Sequence, residues 1–134
     1  HTYRDPAATC WSNYKHYFAD RGLGHCYDLQ DLSNYHDLYS DLMQFWQSAY
    51  SQSIYLLSYE KVTFDQEAET RKLIKYLGLD WQDSVLHPQD NKRSVRTASQ
   101  QQVRRKVYQG SSNEWLKYRP FIGEIFDQLK TNFK

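Results

Sequence analysis

Arg4-Asp5-Pro6 places a guanidinium directly before a helix start, with Ser12 eight residues further on. This is a phosphate-binding arrangement. The first turn of a helix offers unpaired N–H groups and a positive dipole end, and arginine adds a forked, charged contact. Ser12 lies about two turns up the same helix, where its hydroxyl could reach a phosphate along the flank. The competing reading is a helical serine bonded to its own i−4 carbonyl. Tyr59-Glu60 ends the short apolar run 54–59, and ligands of parallel α/β proteins gather at the carboxyl ends of strands. The plainer alternative there is a tyrosine that caps the core.

Charge points the same way. Residues 20–90 carry 12 acids and 5 bases, whereas 91–119 carry eight bases against Glu114 alone. A segment of net +7 suggests an anionic partner, or else a solvated face with a salt-bridged seam. Arg104-Arg105-Lys106 lies within it, without the aromatic interleaving of a nucleic-acid module. The five histidines show no metal spacing, and Cys10, His16, His25 and Cys26 do not match a zinc knuckle. Gly-rich phosphate loops and the Gly-x-Ser-x-Gly elbow are absent.

The elements that must position these residues follow from periodicity and caps. A strand tail is expected over 1–3. Asp5 as N-cap and Pro6 at the first position start a helix whose apolar spacing runs through Phe18, with Gly22 and Gly24 ending it. Leu32, Tyr35, Leu38, Tyr39, Leu42, Phe45, Trp46 and Ala49 predict a long amphipathic helix over 31–51, capped by Asp31. Residues 54–59 read as a buried strand. Asp65 caps a helix through Leu77 that buries Leu73, Ile74 and Leu77 and stops at Gly78. A loop is expected over 87–98, a short helix over 100–108 capped by Ser99, a loop at 110–112, helical turns over 113–119, and a final helix from Pro120 to about Asn132. Strand, helix, helix, strand and helix in that order mark an α/β fold with a parallel layer.

The chain has 134 residues, 40% hydrophobic and 25% charged, with net charge +1. That is one domain's worth of globular chain, with no apolar run near the ~20 residues needed to span a bilayer. Two cysteines argue against a disulfide framework and for a reducing compartment. So few strands cannot form a sheet alone, and the start His-Thr-Tyr-Arg does not read as a signal peptide. We therefore expect part of the fold to lie before His1.

In order along the chain, Arg4–Phe18 (RDPAATCWSNYKHYF), 27–46, Ser58-Tyr59-Glu60 with the helix ending Tyr76-Leu77-Gly78-Leu79, and Val95–Tyr118 resemble the carboxyl half of sulfotransferases that use 3′-phosphoadenosine 5′-phosphosulfate (PAPS). Within that superfamily the chain is most similar to bacterial sulfotransferases that often carry tetratricopeptide repeats and are related to protein-tyrosine sulfotransferases. The resemblance implies an incomplete, mostly helical carboxyl-terminal part of a P-loop-like parallel-sheet fold. Residues 1–134 would form a single partial domain, the 3′-phosphate and nucleotide-binding half. It implies PAPS as co-substrate, with 3′-phosphoadenosine 5′-phosphate (PAP) as product, and no metal. Arg4 and Ser12 match the residues that hold the 3′-phosphate, Tyr59 the tyrosine at the adenine, and Ser99 a further nucleotide-contacting serine. Residues 108–115 fall on the family's Arg-Lys-Gly-x-x-Gly-Asp-Trp segment. Gly110 and Trp115 are kept and Glu114 keeps the acid, while the Arg-Lys pair is missing. Arg104, Arg105 or Lys106 would supply that charge from the preceding turn.

The family's 5′-phosphosulfate loop and catalytic base lie upstream of the Arg-Asp-Pro motif, so no catalytic residue is assigned, and the chain alone is expected to be inactive. The implied partners are the sulfate donor, a hydroxyl acceptor (tyrosine, phenol or carbohydrate) and the upstream half, with no nucleic acid and no membrane. The implied location is a bacterial cytoplasm rather than a secretory lumen. Two other readings stay open. One is a non-catalytic helical interaction domain using helix 31–51. The other is a nucleic-acid binder using 91–119.

Overall fold

The computed structural model describes residues 1–18, 21–91 and 105–130. It is mostly helical. In chain order the regular elements are β1 (Thr2–Tyr3), α1 (Pro6–Tyr14), α2 (Leu29–Ala49), β2 (Leu57–Ser58), α3 (Tyr59–Phe64), α4 (Gln66–Tyr76) and α5 (Arg119–Phe126). Short 3₁₀ segments cover Arg21–Tyr27, Asp83–Leu86, Pro88–Asp90 and Ser111–Lys117. The chain divides into two compact units, one of residues 1–56 with 110–134 and one of residues 57–109.

In the first unit, α1 starts as its sequence dictates. The Asp5 carboxylate accepts from Ala8 N at 2.7 Å, and Pro6 fills the first turn. The helix ends at Tyr14, short of Phe18. His16 N closes a tighter turn on Asn13 O at 3.2 Å, and the Tyr27 hydroxyl takes over both backbone groups of Phe18. The loop expected before α2 is largely the 3₁₀ segment Arg21–Tyr27. Helix α2 begins at Leu29, two residues before the expected start, because Asp28 rather than Asp31 caps it. Its carboxylate accepts from Gln30 N at 2.8 Å and Asp31 N at 2.9 Å.

The face of α2 is the larger correction. Leu32, Ser33, His36 and Ser40 are buried, while Leu38 is 68% and Phe45 59% exposed. The apolar stripe set the helix, not its burial. The core of this unit joins Ala7, Ala8 and Cys10 of α1 to Cys26, Leu32, Trp115, Ile122, Phe126 and Leu129. Both cysteines are free thiols. Helix α5 stops at Phe126 rather than near Asn132. Just beyond it, Lys130 Nζ bonds both carboxylate oxygens of Asp41, at 2.7 and 2.8 Å.

The second unit opens on β2, which is shorter than the strand expected over 54–59. The Ser58 hydroxyl accepts from Lys61 N at 3.3 Å and so caps a helix that takes Tyr59 as its first residue. Helix α4 follows its cap as expected, with Asp65 accepting from Ala68 N at 3.1 Å. Its end is a Schellman closure. Gly78 adopts φ +64°, and Leu79 N donates to Ile74 O at 3.1 Å, a turn that only glycine enters without strain. Leu73 and Ile74 are half-buried and Leu77 is exposed, so no apolar side chain among the described residues of this unit is fully buried. The Arg71 guanidinium instead lies 3.9 Å from the centre of the Trp81 ring, and Trp81 Nε1 donates to Asp83 at 2.8 Å.

Candidate functional site

Arg4 stands between β1 and α1, half-buried, and its Nε donates to Ser112 Oγ at 3.1 Å. This bond spans 108 residues and brings the Arg-Asp-Pro motif beside the Gly110–Trp115 segment. Two more contacts run along the same side of α1. Lys15 Nζ pairs with Glu114 at 2.5 Å, and the rings of Trp11 and Tyr118 stack at 4.3 Å. The first turn of α1 is not a bare anion site, because the Asp5 carboxylate already occupies Ala8 N. Any phosphate here answers to the Arg4 side chain first. Ser12 is half-buried near the carboxyl end of α1.

Gly110 is exposed at φ +93° and starts the turn into the Ser111–Lys117 segment. Trp115 is a core residue, 9% exposed, meeting Phe126 edge-on at 6.2 Å. In the second unit Tyr59 is half-buried at the start of α3, and Arg105 is exposed. Ser99 and Arg104 lie outside the described residues. The structure therefore gathers Arg4, Ser12, Gly110 and Trp115 into one unit.

Sequence reasoning missed Ser112, since no local signal ties a serine in a loop tripeptide to an arginine 108 positions earlier. It also missed a cleft of about 480 Å³ between α1 and α2, lined by Cys10, Asn13, His36 and Tyr39 among others. His36 meets Tyr39 edge-on at 5.6 Å, and its Nδ1 is buried without a hydrogen-bond partner. Burial holds its imidazole below the ordinary range, against the opposing pull of Asp37 and Asp5. Burial, with Asp37, Asp5 and Cys26 adding to it, pushes the Cys10 thiol up to about 12. Burial likewise raises Tyr39, whose hydroxyl meets His1 Nε2.

Among the described residues no group of three or more His, Cys, Asp or Glu could hold a metal ion. No described helix is long and apolar enough to cross a membrane.

A protein of Aquifex aeolicus (strain VF5), itself described only as uncharacterized, is 30% identical over 136 residues. The match covers all of this chain and 18% of that protein, so the chain spans under a fifth of its relative's length. The family model described as Sulfotransferase family matches residues 1–83, a stretch that holds Arg4, Ser12 and Tyr59 together and stops short of Gly110 and Trp115. With well over half of its length inside that match, the chain belongs to the sulfotransferase family.

Proposed function

We propose that this chain supplies the 3′-phosphoadenosine-binding part of a sulfotransferase that uses PAPS. Arg4 and Ser12 hold the 3′-phosphate and Tyr59 contacts the adenine. Ser99, Arg104 and Arg105 add contacts or charge from the basic segment, and Gly110 and Trp115 shape the segment that follows. The observation that carries the reading is the family match over residues 1–83, which takes in Arg4, Ser12 and Tyr59 at once.

The reaction forms a bond from the acceptor oxygen to sulfur and breaks the bond from sulfur to the 5′-phosphate oxygen. PAP departs as the leaving group, and the acceptor proton passes to a base. Holding the leaving nucleotide in line is the larger part of such catalysis. This chain's share is to hold the end of the nucleotide remote from the transferred group, and no base is assigned within it. The acceptor is a hydroxyl compound, and residues 1–134 act as one partial domain of a longer enzyme.

Calorimetric titration tests the reading. PAP is expected to bind at least tenfold more tightly than adenosine 5′-phosphate. Equal affinities, or no binding of either, overturn it.

A further inference from the structure

We propose that Ser112 is a positioning residue for the nucleotide, fixing the plane of the Arg4 guanidinium that meets the 3′-phosphate. The proposal rests on the function given above and adds a residue to it.

An arginine side chain turns about four bonds, and a phosphate gains most from it when the plane of the fork is set before the ligand arrives. The 3.1 Å bond from Nε to Ser112 Oγ sets that plane.

Ser112 can serve as a fixed point because its segment is anchored on both sides. Gly110 at φ +93° makes the entry turn, and Trp115 is sunk in the core against Phe126. The segment also meets α1 near both ends. Arg4 immediately precedes the Asp5 cap, while Trp11 and Lys15, four residues apart, share one side at the other end. Each meets a different residue of 112–118: Ser112, Tyr118 and Glu114 respectively. Tyr108 and Gln109, just before this segment, offer neither a guanidinium nor an ammonium and cannot replace an arginine–lysine pair at a phosphate. Aiming Arg4 is how the segment serves the phosphate without touching it.

The test uses the full chain with Ser112→Ala, Ser112→Thr, Arg4→Ala and the Arg4→Ala/Ser112→Ala double variant, each titrated with PAP and with adenosine 5′-phosphate. Ser112→Ala is expected to weaken PAP about 5- to 10-fold, a typical hydrogen-bond loss. Adenosine 5′-phosphate affinity and the melting temperature are expected to stay unchanged. Ser112→Thr, which keeps the hydroxyl, restores PAP binding to within about twofold. In the Arg4→Ala background, Ser112→Ala costs nothing further, since a residue that acts through Arg4 has nothing left to aim. An equal loss in both backgrounds overturns the proposal in favour of direct contact, and a loss shared by both nucleotides overturns it in favour of general damage. Nitrogen-15 spectra give a readout without nucleotide: the Arg4 Nε–H proton exchanges more slowly in the wild type and in Ser112→Thr than in Ser112→Ala. Equal exchange in all three overturns the bond itself. A wild-type chain without preference for PAP overturns the nucleotide function and this role together, whereas a preference that Ser112→Ala leaves intact overturns only the role of Ser112.

Discussion

Trp11 and Tyr118 stack with ring centroids 4.3 Å apart and planes 29° from parallel. The pair joins the end of α1 to the residue just before α5, beside the Lys15–Glu114 ion pair. Exposed ion pairs contribute little, so the stack is the stronger tie of the two. A double-mutant cycle on Trp11→Ala and Tyr118→Ala is expected to return a coupling of about 0.5–1.5 kcal/mol by denaturant unfolding. Trp11→Phe should cost far less than Trp11→Ala, because it keeps a stacking ring and deletes an indole N–H buried without a partner. Zero coupling would show that the rings are neighbours without being partners.

Asp5 is the N-cap of α1 through its bond to Ala8 N. Asp5→Ala is expected to destabilise the protein by about 0.5–2 kcal/mol, and Asp5→Asn by much less, since asparagine also caps. Equal losses in thermal unfolding would point to the negative charge rather than the cap.

For nucleotide binding, Arg4→Ala is expected to cost about 1.5–3 kcal/mol of PAP affinity, the range for a hydrogen bond to a charged group. Ser12→Ala should cost about 0.5–1.5 kcal/mol, as its donor is neutral. Tyr59→Ala should weaken PAP and adenosine 5′-phosphate alike, because its contact is with the base they share. Selective loss of PAP alone on changing Tyr59 would remove that residue from the adenine.

His36 makes stability depend on pH. Its folded-state pKa lies below the unfolded value of 6.5 because burial disfavours the imidazolium. The unfolded chain then binds more protons as pH falls, so this contribution is complete above 6.5 and is lost as pH drops toward the lower folded value. The melting temperature of the wild type should fall between pH 7.5 and 5 more steeply than that of His36→Gln. Parallel profiles would assign the acid sensitivity to other groups.

Cys10 is 1% exposed with its thiol pushed up to about 12, so almost no thiolate exists near neutrality. Iodoacetamide at about pH 8 should leave Cys10 unmodified in the folded chain and label it rapidly in denaturant, as read by mass spectrometry. Fast labelling without denaturant would show that α1 opens readily.

Local signals located most of the helices and little of what they face. Asp5-Pro6 and Asp65 with Gly78 marked their helices because caps act over three or four residues. The long helix was plain from its period, yet its stripe at Leu38, Leu42 and Phe45 is exposed, since periodicity records amphipathicity and not what meets each face. Tyr59 was expected at the end of a strand, but the Ser58 cap turned it into a helix start. Arg4 and Ser12 were legible as candidates because they share one short motif. Ser112 was not, because the bond that recruits it depends on a chain reversal that no window of sequence contains.

The first unit is made of two stretches separated by residues 57–109. Among the described residues, four of its nine core side chains, Trp115, Ile122, Phe126 and Leu129, belong to the later stretch. On a ribosome, the apolar faces of α1 and α2 would therefore emerge before the later-stretch side chains that pack on them. Roughly 70 further residues must be made before Leu129 appears, which at ~5–20 residues per second is several seconds. During that interval the nascent chain presents Ala8, Cys10 and Leu32 to whatever is nearby. Its yield in a cell should then respond to holdase chaperones and to translation speed across residues 57–109 more than to the stability of the finished protein.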